Sequence, residues 1–287
     1  MKILSYNIQY GRGMDGDFDL VRTCKRLRGA DIICLQEVEQ GWERSGNIDQ
    51  AAEITGLLPT YYSVYGASFD VDASVRSAHG AVINKRRRQG NLTLSRWPIV
   101  SSRTFNLPKV HFPDKFNMQM GFIESVIVTP DGPVRVYNYH AGYLESAERV
   151  IQVKAFSKVY HRSVQEQGAW SGKADIDGYD WSNGRELPAM PVSAIVCGDF
   201  NANHQTEEYR VLLEQTGLQD CWALIAPAEV NVKTWKGEET GDIQVSGKID
   251  HILVSPDLTV GLKSARVDQD CDASDHTPIE VEIDLPV

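Results

Sequence analysis

Cysteine is scarce in this chain: five residues, Cys24, Cys34, Cys197, Cys221 and Cys271, are scattered over 287 positions, and no CxxC occurs. An odd, dispersed set argues against a disulfide framework and against thiolate-bound zinc. Cys34 and Cys197 fall inside the apolar runs DIICLQ and SAIVCGD, where a thiol serves as a small buried hydrophobe. Long apolar stretches are missing too, and none approaches the roughly 18 residues that a membrane helix needs. The opening segment MKILSYNIQYGRG has no long apolar h-region and no small-residue cleavage site, so it reads as a strand, and the expected compartment is cytoplasmic. Positive charge is in deficit: 29 Lys and Arg against 39 Asp and Glu leave a formal charge of −10. That balance disfavours broad polyanion binding, which rests on neutralising phosphates. Repeats, low-complexity tracts and long linkers are lacking, so residues 1–287 read as a single domain with ample length for a core.

What the chain does contain is an alternation of strand and helix patterns. KILSYNIQ, ADIICLQEV and residues 61–65 predict strands in the first part, with helices over 17–28 (Phe18, Val21, Cys24 and Leu27 at helical spacing) and 47–55. Strands of antiparallel character are predicted over 81–85, 91–95, 99–105, 122–128 and 134–139, the last two joined by the turn TPDGPV. A long helix over 145–167 follows, with Glu145 and Glu148 favouring its N-terminal end. A loop over 168–191, a strand over 192–198, a helix over 207–216 and strands over 248–255, 260–267 and 279–285 complete the pattern. The expected fold is a four-layer α/β sandwich: two mixed β-sheets packed face to face and flanked by helices.

Polar signatures stand where these strands end: SYNIQ (Asn7), LQEVE (Glu37), LSRWPI (Arg96), NYHAG (His140), GDFNAN (Asp199, Asn201), KIDHILVS (Asp250) and SDHTP (Asp275, His276). Taken singly, most have an ordinary explanation. Glu37 could close a strand-end salt bridge, Asn7 a strand-end hydrogen bond, and GDFN an Asx-turn. GDFN serves equally well to place a base and an amide two residues apart on one side of the chain. His276 has a neighbour in Asp275 and a companion in Asp250 that could fix its tautomer. His251 alternates to the opposite face and reads as structural. The run Lys85–Arg88 reads as a solvated hairpin tip, and Arg96, beside Trp97 and Pro98, as a packed position.

Convergence changes the reading. If Glu37, Asp199, Asp250 and Asp275 meet, like charges about 4 Å apart repel by roughly 4 kcal/mol per pair at an effective dielectric of 20. Such a cluster persists only with a cation or with protonation. Oxygen-rich, sulfur-poor ligation suits Mg²⁺ or Mn²⁺ rather than zinc.

In this order the signatures resemble the endonuclease/exonuclease/phosphatase superfamily, the DNase I-like group that also holds AP endonucleases, inositol polyphosphate 5-phosphatases, neutral sphingomyelinases and deadenylases. The resemblance spans nearly the whole chain. It implies in-line attack of water on phosphorus with a divalent cation. Glu37 would be the principal metal ligand with Asn7 beside it, and Asp275 would complete the acidic rim. Asp199 would activate or position the water, Asn201 would hold a phosphate oxygen, Asp250 would orient His276, and His140 would face the phosphate. Arg96 would be structural or site-supporting. The histidine in NYHAG resembles the phosphatase, sphingomyelinase and DNase I-like branches rather than the AP endonucleases, which as a rule carry tyrosine there. The expected activity is hydrolysis of a phosphodiester or phosphomonoester other than abasic duplex DNA. The alternative is a DNase I-like nuclease, and nucleic acid is the less favoured partner. A non-catalytic module on the same scaffold would lack these residues, and a peripheral lipid hydrolase would be expected to show a basic amphipathic helix. Two segments are candidates for leaving-group recognition: the loop with Trp170, Tyr179, Trp181 and Arg185, and the segment with Trp42, Arg44 and Asp49.

Overall fold

Two parallel strand pairs organise the molecule. Strand β1 (Lys2–Asn7) lies parallel to β2 (Ile32–Gln40) in one sheet. In the computed structural model, which describes residues 1–285 except 173–174, 177–178, 182–183, 185–188, 230–231 and 238–246, a second such pair lies in the other sheet. It joins β7 (Gly132–His140) and β8 (Ala194–Asp199). The remaining strands are β3 (Tyr62–Asp72), β4 (Arg86–Ser95), β5 (Ile99–Asn106), β6 (Gly121–Thr129), β9 (Gln219–Asp220), β10 (Asp250–Val254), β11 (Leu262–Val267) and β12 (Ile279–Ile283). The first sheet runs β11-β12-β1-β2-β4-β3 and the second β9-β10-β8-β7-β6-β5.

Period-two alternation makes the layers. Ile3, Ile32 and Cys34 of the first sheet pack against Val134, Val136, Ile195 and Cys197 of the second in one buried cluster. Their neighbours Leu4, Tyr6, Ile33 and Leu35 point outward, onto helices α1 (Leu20–Arg26) and α2 (Gln50–Leu57). On the far side Tyr137, Tyr139 and Val196 pack on α3 (Ser146–Glu166) and α4 (Glu207–Thr216). Helices, sheet, sheet, helices is the expected four-layer sandwich. Both central strand pairs are buried on two faces, which is why their sequences are nearly continuous apolar runs.

Caps explain where helices begin. The Asp19 side chain accepts from Arg22 N, so α1 starts at Leu20 rather than at 17. Asp49 caps α2 in the same way. The helix expected over 207–216 is found there, between the Thr206 cap and Gly217. The largest departure concerns β3 and β4. The strand expected over 81–85 shrinks to Val82–Ile83, and Arg86–Arg88 lie inside β4, paired with Asp72, Val71 and Asp70, not at a hairpin tip. Alternation of acid and base across this ladder favours strand pairing over a solvated turn. No described helix is long and apolar enough to cross a membrane.

Candidate active site

The parallel pairs deliver their C-terminal ends to one place. Asn7 ends β1, Glu37 lies near the end of β2, and His140 and Asp199 are paired at the ends of β7 and β8. Asp250 begins β10 opposite Asp199, and His276 precedes β12, the antiparallel neighbour of β1. Gly198 permits this register: a Cβ there would stand 1.8 Å from the Tyr139 carbonyl oxygen, on a backbone with φ of +156°.

Glu37 sits in a bulge. Between Leu35 and Val38 the ladder to β4 shifts, and Glu37 takes a left-handed φ of 58°. Asn201, with φ of 48°, is similarly strained. Non-glycine residues held there cost of order 1–3 kcal/mol and cluster at functional sites.

Asn7 ties the two sheets together. Its Nδ2 donates to Glu37 Oε1 and to Asp199 Oδ2, both at 3.0 Å. Its Oδ1 accepts from Gln9 N at 3.0 Å. The sequence reading placed Asn7 among metal ligands. Its oxygen is engaged by the Gln9 backbone N–H, and its amino group faces the carboxylates of Glu37 and Asp199. Asp199 Oδ1 accepts from Asn201 N at 2.9 Å. Its Oδ2 lies 3.7 Å from His140 Nε2 and 3.6 Å from His276 Nε2. His276 Nδ1 is 2.8 Å from Asp250 Oδ2, as the sequence reading expected of that pair. Asp250 is fully buried, and its backbone N–H donates to Thr234 Oγ1. Asn201 Nδ2 donates to the Ala141 carbonyl at 3.1 Å.

The electrostatics divide the groups. Burial opposes charge on His276, but the Asp250 and Asp199 carboxylates outweigh it and lift its pKa to about 10, so the ring is an imidazolium. Burial depresses His140, which stays neutral. Burial, reinforced by the charge of Asp275, raises Glu37 to about 7. Asp275 Oδ2 accepts from Gln9 Nε2 at 3.0 Å and Trp235 Nε1 at 3.4 Å.

These groups line a pocket of about 230 Å³. Its walls include Tyr10, Arg44, Gln89, Met118, Met120, Tyr143, Trp235 and Ile249. Among the described residues Arg44 is the only Lys or Arg on this lining, with its guanidinium carbon 3.9 Å over the Tyr10 ring and 4.7 Å from the Trp42 ring, and its fork on buried Glu39. Two other expected residues are not brought here. Arg96 sits at the opposite end of β2 and β4, where Ser95 pairs with Ile32, and it contacts Asp31 and the Ala30 carbonyl, so it anchors the strand start. Trp181 is 86 % exposed and does not line the pocket. Arg185 lies outside the described residues, and Asp49 is a helix cap. Sequence reasoning missed Gln9 and Trp235. Gln9 was legible as the residue two beyond Asn7. Trp235 was not, since it reaches the site through an isolated bridge to His276.

The donor set fits a hard divalent cation. Asp199, Asp250 and His276 place ligand atoms within 4.8 Å of one another, but His276 Nδ1 is already committed to Asp250, so that trio reads as a hydrogen-bonded relay. Glu37 and Asp275 press on each other with only neutral amide, hydroxyl and indole donors on them. Two crowded carboxylates without an ammonium or guanidinium partner suit oxygen-seeking Mg²⁺ or Mn²⁺.

Comparisons with known proteins bear on the family and the fold. The profile of the Endonuclease/Exonuclease/phosphatase family matches residues 4–276. A search of curated proteins finds no match. Among solved structures, an endonuclease/exonuclease/phosphatase from Beutenbergia cavernae superposes with a TM-score of 0.68 at 18 % identity, covering 99 % of this chain and 71 % of that one. A mannosyl-6-phosphatase from Bacteroides thetaiotaomicron gives 0.65 at 17 % identity, covering 99 % and 100 %. A 3′ phosphatase from Neisseria, bound to a product DNA hairpin, gives 0.60 at 20 % identity, covering 99 % of each chain. At these identities the likeness speaks for the fold, which is DNase I-like.

Proposed function

The chain belongs to the endonuclease/exonuclease/phosphatase family, and from that premise we propose that it is a divalent-metal-dependent phosphoesterase acting on a small phosphodiester or phosphomonoester. One observation carries the reading. A single oxygen, Asp199 Oδ2, receives the Asn7 amide and faces the Nε2 atoms of both His140 and His276. A carboxylate so surrounded is placed to hold a water beside a phosphoryl group.

Glu37 and Asp275 would hold Mg²⁺ or Mn²⁺, which when bound neutralises charge on the phosphoryl and leaving oxygens. Asp199 accepts a proton of the attacking water and aligns its lone pair with phosphorus. His276, charged and fixed through Nδ1 by Asp250, presents Nε2–H to the phosphoryl oxygen where negative charge grows. His140, neutral, offers a second imidazole without adding charge. Asn201 lies beside Asp199 with its amide at the pocket wall and contributes a polar contact to phosphate. Arg44, clamped by Glu39 and stacked on Tyr10, is the residue for the leaving group.

The test is a panel of bis-aryl phosphate, aryl phosphate, phospholipid, nucleotide and plasmid substrates, with and without chelator, run beside Asp199→Asn. Hydrolysis that disappears with chelator and in the variant supports the reading. Activity that persists in Asp199→Asn removes the assigned role. Metal-dependent plasmid nicking without small-substrate turnover would give the nuclease alternative instead.

A further inference from the structure

Residues 70–88 form an arm that the chemistry above does not use. The last rung shared with β2 is Gln40 with Arg88. Beyond it β3 and β4 pair only with each other, through Asp70, Val71 and Asp72 opposite Arg88, Arg87 and Arg86. The ribbon continues through Val75 with Ile83 and Arg76 with Val82 to a turn closed by Ser77 and Gly80. It leaves the sheet at the end where Glu37 lies, and Gln89 at its root lines the pocket. At about 3.3 Å per residue its tip reaches roughly 25 Å past Gln40.

A two-stranded ribbon with no core beneath it should be polar. This one is not. Val75, Val82 and Ile83 at its tip are 49 %, 52 % and 46 % exposed. Its charge also runs against the rest of the chain. Five cations (Arg76, Lys85, Arg86, Arg87, Arg88) and two acids (Asp70, Asp72) make it +3 within a protein of −10. Arg86 and Arg88 are tied to Asp70. Among the described residues no carboxylate lies within ion-pairing distance of Arg76, Lys85 or Arg87; Arg76 donates to the Gly80 carbonyl at 3.2 Å, so the three cations near the aliphatic tip have no anionic partner.

We propose that this arm docks the protein on an anionic phospholipid surface. Val75, Val82 and Ile83 enter the boundary between headgroups and acyl chains, and Arg76, Lys85 and Arg87 meet lipid phosphates. Aliphatic exposure combined with unpaired cations is what such an interface rewards. A nucleic acid would leave the valines and the isoleucine in water, and residues 70–88 contain no Phe, Tyr or Trp on which a base could stack. The docked orientation turns the pocket mouth toward the bilayer. This inference concerns where the protein sits and stands apart from the proposed reaction.

The experiment is vesicle flotation with phosphatidylcholine alone and with equal parts phosphatidylcholine and phosphatidylserine. Wild type should float with the anionic vesicles and far less with the neutral ones. Val75→Ser/Val82→Ser/Ile83→Ser should reduce flotation about tenfold or more, as should Lys85→Glu/Arg87→Glu. Both variants should keep the wild-type thermal midpoint, because the changed side chains support no core. Absence of wild-type flotation, or variants that float as well as wild type, would overturn the proposal. So would arm-dependent binding of single-stranded or duplex DNA without vesicle binding.

Discussion

At the scale of single residues, the site concentrates cost where chemistry needs it. Glu37 combines a left-handed backbone, burial and the neighbouring charge of Asp275. Each is unfavourable to the metal-free protein, and the neighbouring His276 imidazolium offsets them only in part. Glu37→Gln keeps the acceptor for Asn7 Nδ2 and removes the charge. The metal-free variant should therefore be more stable than wild type by about 1 kcal/mol, seen as a higher midpoint in urea, while turnover is lost. The complementary measurement is thermal unfolding with added Mg²⁺ or Mn²⁺. At about 100 times the dissociation constant, wild type should gain about 2.7 kcal/mol, and the variant should gain little. A wild-type melting temperature indifferent to both cations would count against a metal at Glu37. Asp250 makes a different prediction. Its carboxylate both orients His276 and keeps it charged, so Asp250→Asn should lower kcat by about 10²–10⁴ with a smaller effect on KM. An equal rise in KM with unchanged kcat would instead place the dyad in ground-state binding.

At the scale of elements, the site depends on how closely β7 and β8 approach. Gly198 pairs with Tyr139 with no room for a side chain. Gly198→Ala must push the strands apart, separating His140 from Asp199, and should destabilise the fold by about 3 kcal/mol, read as loss of soluble protein or a lower midpoint. A second support is the buried cluster of Asp220, Lys248 and His251, which joins β9 to β10 while His251 Nε2 reaches the Ala202 carbonyl just beyond Asn201. Burial opposes charge on Asp220, but Lys248 and His251 overcome it and hold its pKa far below the usual carboxylate range. A depressed carboxylate contributes stability above its unfolded pKa, near 4, and that stability drains as pH falls below it. Asp220→Asn should thus be less stable than wild type by about 3 kcal/mol at neutral pH, with the gap narrowing only below about pH 4 in pH-resolved unfolding. These elements show what was legible beforehand. Strand identity and the helix at 207–216 followed from apolar runs and alternation, because those depend on local pattern, whereas the pairing of His276 with Asp250 came from the resemblance of their two signatures to a known family. The Glu37 bulge, the amide orientation of Asn7 and the arrival of Trp235 did not. Each is set by a partner more than 25 residues away, and no local periodicity encodes it. Arg96, read as structural or site-supporting, pairs with Asp31 at the strand start, because a polar residue beside a strand gives no sign of which end of the sheet it occupies.

At the scale of the whole molecule, the charge distribution separates the two activities that the family allows. The protein carries −10, and among the described residues Arg44 is the only Lys or Arg lining the pocket. Away from the arm of residues 70–88, a long polyanion would have to approach a net negative surface, and among the described residues the pocket lining offers a single Arg to displace its counterions. A small phosphoester meets the local groups alone: the imidazolium of His276, the Arg44 guanidinium and whatever cation Glu37 and Asp275 hold. These act over a few ångströms, well inside the Debye length of about 10 Å at 0.1 M salt. Turnover of an aryl phosphate or bis-aryl phosphate should therefore change by less than about threefold between 50 and 200 mM salt at fixed metal. A nuclease making six to ten phosphate contacts would lose about 10³–10⁵ in affinity over the same interval. Initial rates on both substrate types across that range decide the matter. A steep salt slope on plasmid with negligible small-substrate turnover would show that the acidic surface is bypassed locally, and that the pocket serves a nucleic acid.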